Sequence, residues 1–259
     1  MERANALLKA RRETGYLENF PTPFAQTLDE AYAIQDQTIA QWPTKLVGWK
    51  VGRINGDDID KYGTDRLAGP IFEPTLHKAN LSVLDMPVYG DGFAAVEGEC
   101  VAIIGADTDP EKTDYTTEEA LTLIQSMHAG IEIASSPFPG INDNGPLVTI
   151  SDFGNNYGLI IGEEIPNWKD LKLENWTFAT YIDGELIGEK TPDSIPGGPV
   201  ESVRFLLENA ARRGFPLKAG DAITTGAVTG VHAIKVGQTS RVTCAGTADM
   251  TCRITALEF

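Results

Sequence analysis

Apolar and polar positions follow one texture up to about residue 75 and another after it. Residues 1–45 read as helical. Thr27-Leu28-Asp29-Glu30 has the form of a capping box, with Thr27 capping the amide three residues on and Glu30 reaching back. The helix it opens runs to about Gln41, and Pro43 stops it. Residues 46–53 read as a strand. Residues 54–70 are polar, contain glycine and show no periodicity, which predicts a mobile loop and a candidate lid. Beyond residue 71, short apolar runs alternate with Gly, Pro, Asn and Asp, as in V-E-G-E-C-V-A-I-I at 96–104, Y-G-L-I-I at 157–161 and W-T-F-A-T-Y-I at 176–182. Such runs predict strands. Two helices interrupt them. Thr116-Thr117-Glu118-Glu119 is a second capping box, and Ala120, Leu121, Ile124 and Met127 form a stripe that carries a helix to about His128-Ala129-Gly130. Residues 199–213 open on Pro199 and close on Arg212-Arg213-Gly214, a pattern suited to a helix. Segments 182–185 and 242–252 read as hairpins. The expected class is α+β, dominated by a mixed or antiparallel sheet, with an N-terminal helical and strand segment over 1–75 and a β-rich domain over 76–259.

Composition narrows the partners. The 259 residues fit one domain of roughly 200–250 residues with an N-terminal extension. Lys and Arg total 21 against 37 Asp and Glu, a formal charge of -16 that repels both nucleic acid and an anionic membrane. No apolar run approaches the ~18 residues of a membrane helix, and the first residues lack a signal-peptide core. Three cysteines, Cys100, Cys244 and Cys252, are too few for a disulfide framework and read as buried thiols. A soluble, cytoplasmic protein is expected.

The motifs of nucleophile elbows, phosphate loops and histidine zinc sites are missing, and the three histidines are scattered. The informative feature is Glu97-Gly98-Glu99. On a strand both glutamates project to one face, about 7 Å apart along it, while Val96, Gly98 and Cys100 face the other way. A third acid, Glu132, sits between Ile131 and Ile133. Carboxylates in apolar strands are costly to bury without a partner, and a hard divalent cation with oxygen ligands satisfies them. A solvated edge strand is the alternative. Lys50 stands in V-G-W-K-V-G between two glycines that allow close approach, so it either snorkels or serves a substrate carboxylate or proton transfer. A-I-T-T-G-A-V-T-G at 222–230 ends a strand in a turn of small residues suited to a carboxylate.

In this order the segments resemble the fumarylacetoacetate hydrolase superfamily, on its 2-keto-4-pentenoate hydratase and 4-oxalocrotonate decarboxylase side. The resemblance covers nearly the whole chain: A-Y-A-I-Q at 31–35, V-G-W-K-V-G at 47–52, A-G-P-I-F at 68–72, V-E-G-E at 96–99, G-I-E-I-A at 130–134, S-D-F-G-N-N-Y-G-L-I-I-G at 151–162 and L-K-A-G-D-A-I-T-T-G at 217–226. It implies a mixed β-roll core and assembly as a homo-oligomer. It implies Glu97, Glu99 and Glu132 as ligands of Mg2+ or Mn2+, Lys50 as an active-site lysine, and Thr225 and Gly226 as substrate-lining residues. The expected substrate is a small anionic 2-oxo acid, drawn by the metal, Lys50 and Arg53. Two positions depart from the hydratase pattern. Leu67 stands where an acid is expected, and Asn155 where a serine is expected. The metal triad matches and the acid/base set does not. Hydration, C–C hydrolysis, decarboxylation and a non-catalytic metal-binding paralogue therefore all stay open, with hydration leading.

Overall fold

The computed structural model describes residues 1–80 and 82–259. Helix α1 (Glu2–Lys9) runs into a wider turn over Ala10–Thr14, and α2 spans Leu28–Ile39. Strand β1 (Leu46–Arg53) is followed by the short α3 (Asp58–Tyr62), then β2 (Arg66–Phe72), β3 (Leu76–Lys78), β4 (Leu84–Val88) and β5 (Phe93–Ile104). Helix α4 (Thr117–Leu123) leads into β6 (Ile124–Ser136), and α5 (Pro146–Ser151) precedes β7 (Asn156–Glu164). Strands β8 (Phe178–Ile182) and β9 (Glu185–Lys190), helix α6 (Gly198–Arg212), and strands β10 (Ala222–Ala227), β11 (His232–Ala233), β12 (Thr239–Cys244) and β13 (Met250–Ala256) complete the chain.

The strands form two mixed sheets. The larger runs β2-β1-β10-β5-β6-β7-β3, with β11 pairing the outer end of β5, and the smaller runs β4-β13-β12-β8-β9. Strands from both sides of residue 75 share the larger sheet. It curls until β2 and β7 approach each other, which makes a half-barrel with a concave inner face. The smaller sheet packs on the outer face through β8 and β12. Gly98 shows why that outer face tolerates so little bulk: a Cβ there would lie 3.0 Å from Thr180 Oγ1 and 3.3 Å from Val242 Cγ1. The alternation of V-E-G-E-C thus separates a tightly packed outer face from a polar inner one. The α+β class, the β-roll core and the N-terminal helical segment are as the sequence implied. No helix among the described residues is long and apolar enough to cross a membrane.

Several local expectations change. Residues 16–27 are not helical, because Gly15 takes a left-handed conformation (φ 66°) and Pro21 and Pro23 follow. Thr27 does cap α2, accepting from the Glu30 amide at 3.2 Å, but the Glu30 carboxylate accepts from Gln26 N at 2.9 Å, one residue earlier than a capping box requires. The second box, Thr116 with Glu119, is complete. The expected loop at 54–70 holds α3 and then β2, every residue of which is buried. The polar run really ends at Asp65; Arg66 escapes notice as a core residue because its charge is met by Asp65, Ser202 and the Pro196 carbonyl. Helix α4 stops at Leu123, four residues short of Met127, since Ile124 and Met127 pair along β5 instead. Their spacing suits either element, and the long antiparallel register decides it. Both hairpins form. The tighter one, at Asp183-Gly184, has positive φ at both central residues (50° and 85°). All three cysteines are buried and free.

Candidate active site

The central strands of the half-barrel bring the acids together. In the antiparallel register of β5 and β6, Glu97 lies opposite Glu132 and Glu99 opposite Gly130. The glycine leaves room, because a Cβ there would lie 2.4 Å from Val101 Cγ2. One carboxylate oxygen from each of Glu97, Glu99 and Glu132 falls within 4.8 Å of the others. None is solvated: Glu97 is 4% exposed, and Glu99 and Glu132 0%. A solvated edge strand is thereby excluded.

Each carboxylate is held differently. Glu132 is satisfied on both oxygens. Its Oε1 receives Lys50 Nζ at 2.9 Å and Asn156 Nδ2 at 3.1 Å, and its Oε2 accepts from Thr224 Oγ1 at 2.7 Å. Lys50 and Thr224 are level on the parallel pair β1 and β10, so adjacent strands deliver both donors. Glu99 accepts from the Gly226 amide at 2.6 Å on Oε2, while its buried Oε1 has no partner. That amide points inward because β10 breaks register between Thr224 and Ala227, where Gly226 takes φ 123°.

The electrostatics follow from burial. Desolvation pushes the Glu97 carboxyl up to about 7, only partly countered by Lys50. Burial, then repulsion from Glu132 and Glu97, raises Glu99 well above the usual carboxylate range. Burial works against the Lys50 ammonium, but Glu132 and then Glu97 outweigh it and hold the lysine above its ordinary value. One ammonium faces three carboxylates, so full ionisation leaves two negative charges uncompensated in a dry site. Such a site favours proton uptake or a bound cation.

Of the three acids, Glu97 lines a cavity of about 550 Å3, together with Lys50, Leu67, Asn155, Arg53 and Lys190, and Glu99 and Glu132 lie buried behind it. A cavity of this size suits a small molecule. A scan against family models finds no match. By sequence the chain is 26% identical to 2-keto-4-pentenoate hydratase 2 of Dechloromonas aromatica (strain RCB) over 229 residues, covering 84% of this chain and 82% of that protein. It is 24% identical to a 4-oxalocrotonate decarboxylase of Pseudomonas sp over 218 residues, 82% of this chain and 81% of that one. Among solved structures, 4-oxalocrotonate decarboxylase from Pseudomonas putida G7, complexed with magnesium and adipate, superposes with a TM-score of 0.79 at 18% identity over 98% of this chain and 96% of that one. Fumarylpyruvate hydrolase from Pseudomonas aeruginosa, in complex with Mn2+ and pyruvate, gives 0.58 at 18% identity over 83% and 91%. The resemblance to the fumarylacetoacetate hydrolase superfamily is borne out.

The structure brings Lys50, Glu97 and Asn155 to one cavity and places Glu99 and Glu132 against Glu97, outside its lining. Arg53, exposed at the end of β1, lines the same cavity as Lys50 although strand alternation starts it on the opposite face. Thr225 and Gly226 do not line the cavity, whereas Ala227 does. The Thr225 hydroxyl donates to the Cys100 carbonyl at 3.0 Å, and the Gly226 amide serves Glu99. Leu67 lies on β2 beside Gly52 and presents an apolar wall.

Asn155 reaches the cavity through an unusual turn. Phe153, Gly154 and Asn155 all take left-handed conformations, with φ of 57°, 61° and 65°. For the two non-glycine residues this costs of order 1–3 kcal/mol each. The turn closes the gap between β2 and β7, and Gly69 makes room for it, since a Cβ there would lie 2.0 Å from the Phe153 carbonyl oxygen. Sequence reasoning missed the residues that support it, Arg11, Ser136 and Asp152, and missed Asn156 as the partner of Glu132. The available signal was the pair Asn155-Asn156 just ahead of an apolar strand, where two amides have no reason to be buried unless they bond something.

Proposed function

We propose that the chain is a divalent-metal-dependent lyase acting on a small 2-oxo or 2-hydroxydienoic acid, most similar in activity to a 2-keto-4-pentenoate hydratase. The observation that carries this reading is the buried convergence of Glu97, Glu99 and Glu132, with Glu97 lining a cavity that Lys50 also lines. The residues fit a cation of the Mg2+ or Mn2+ kind: the donors are all oxygen, one carboxylate oxygen of Glu99 has no partner, and the cluster carries excess negative charge. When bound, such a cation supplies Lewis-acid stabilisation of negative charge developing on the oxygens of a 2-oxo acid.

The chain's own residues do the rest. Lys50 is kept cationic by Glu132. That charge attracts the substrate carboxylate, and Nζ carries the proton for the substrate carbon, although the same pairing resists its release. Arg53 at the mouth adds attraction for an anion that the net charge of -16 otherwise repels. Gly226 and Thr225 take supporting parts, the amide by holding Glu99 and the hydroxyl by tying β10 to β5. Asn155 cannot take up a proton, so it orients a water or hydroxyl rather than acting as a base.

A second reading, loss of CO2 with its bonding electrons left as an enolate on the 2-oxo acid, is favoured by the apolar Leu67. Decarboxylation needs a proton donor at carbon but no activated water, and Lys50 suffices for it. Turnover of 2-hydroxypenta-2,4-dienoate with Mg2+ supports hydration, and CO2 release from 4-oxalocrotonate supports the second reading. Lys50→Met is expected to lower whichever turnover is found by roughly 100- to 10,000-fold. Full activity in that variant, or turnover unaffected by chelator, rejects the reading.

A further inference from the structure

One buried cation that does not line the cavity brackets the turn that carries Asn155. The Arg11 guanidinium donates through Nε to Asp152 Oδ1, through Nη2 to the Asp152 carbonyl at 2.9 Å, and through Nη1 to the Asn156 carbonyl at 3.1 Å. Its centre lies 4.7 Å from the Phe153 ring centroid. It therefore grips the residues on both sides of the left-handed run 153–155 and covers the first residue of the run itself. Ser136 Oγ donates to the other Asp152 oxygen at 2.6 Å. Arg11, Ser136 and Asp152 are all buried, and none lines the cavity.

The end product of this bracket is one carbonyl. Asn155 is 4% exposed, and its Oδ1 is buried with no hydrogen-bond donor, while its Nδ2 reaches Asn142 Oδ1 only at 3.5 Å. A buried acceptor held without a donor is costly, and a turn of three left-handed residues does not hold itself. Both features make sense if a ligand supplies the donor. An amide oxygen can only accept, so the ligand group must carry an O–H or N–H.

We propose that Arg11 is a positioning residue: through Asp152 and the Asn156 carbonyl it holds Asn155 Oδ1 to accept a hydrogen bond from a hydroxyl on the carbon chain of the bound 2-oxo acid. The proposal rests on reading the cavity as a 2-oxo acid site. In the hydration direction that hydroxyl derives from the added water, so the same contact orients the water before addition and the product after it.

Two probes separate the parts. 2-Oxopentanoate has the oxo acid head alone, and 4-hydroxy-2-oxopentanoate adds the hydroxyl. Calorimetric titration with Mg2+ should show the parent chain binding the hydroxylated probe about 3- to 10-fold more tightly, the worth of one neutral hydrogen bond. Asn155→Ala should erase that ratio. Arg11→Gln should erase it too while still binding 2-oxopentanoate, an outcome that general loosening of the fold would not give. The double variant should show no further loss of the ratio. Arg11→Lys keeps the charge but cannot bracket two carbonyls and a carboxylate, so it should behave like Arg11→Gln. If Arg11→Gln does not fold, Ser136→Ala takes its place, and a reduced ratio is expected. A folded Arg11→Gln, or failing it a Ser136→Ala, with the ratio intact overturns the proposal. A parent chain that binds neither probe with Mg2+ removes the 2-oxo acid reading and the proposal with it. A parent chain that binds both equally overturns only the role of Asn155 and Arg11.

Discussion

The inner face of the half-barrel has two halves built by the same strands. Toward one end lie Lys50, Glu97, Glu99, Glu132 and Thr224; toward the other lie Ile71, Val101, Leu159, Ile161 and Ala222. On β5 the change from Glu99 to Val101 takes one step of the pleat, and on β10 so does the change from Thr224 to Ala222. Both halves are buried. The apolar half is stabilised simply by leaving water, whereas the polar half is buried at a cost that only proton uptake or a cation removes. One sheet thus carries its stability and its chemistry side by side, and the two should respond to substitution in opposite directions.

The largest effect is expected in the apolar half. Ile71 is fully buried among Val101, Leu159 and Ile161. Ile71→Ala should lower unfolding stability by about 2–5 kcal/mol, read by denaturant melts, while a Mg2+-induced thermal shift persists. If that variant lost the Mg2+ shift but kept its stability, the division of labour would be wrong.

The polar half should show the reverse. Glu99→Gln keeps the shape and an acceptor for the Gly226 amide but removes a carboxyl that must take up a proton or stay charged out of water. The metal-free protein should gain roughly 1–3 kcal/mol, and the stabilisation by Mg2+ should vanish. A metal-free variant less stable than the parent would show that Glu99 is not a liability when empty-handed.

These two halves were legible in the sequence to different degrees. Strand alternation alone put Glu97 and Glu99 on one face, and the isoleucines around Glu132 marked it as buried. The end of the loop at 54–70 and of the helix after Thr116 were misjudged because polar composition and apolar spacing are local signals. Pairing of β2 with β1 and of β6 with β5 is decided by residues far along the chain. Arg11 was invisible for the same reason: its partner is 141 residues away, and in sequence it is one of two adjacent arginines on a short helix.

The smallest effect, and the one that sharpens the comparison most, is its dependence on pH. Burial raises the Glu97 carboxyl to about 7 from an ordinary 4.5. A carboxyl with a raised folded value favours the folded state only while it is protonated. Its contribution is therefore complete below the ordinary value and is lost as pH rises through about 7. The metal-free protein should accordingly lose part of its stability between about pH 5 and pH 8, whereas a bound cation, which prefers the ionised carboxylates, should restore more of it at the upper end. Thermal melts with saturating Mg2+ and with chelator, at about pH 5.5 and about pH 8, measure the difference directly. The Mg2+ shift should grow with pH in the parent chain and less steeply in Glu97→Gln, where Glu99 alone of the two raised carboxyls still has to release a proton. Ile71→Ala should keep the parent's slope at a lower temperature, because its deficit lies in apolar contacts that do not titrate. A flat response in the parent would mean that Glu97 and Glu99 are already ionised without a cation, and Lys50 would then be sufficient to balance the cluster.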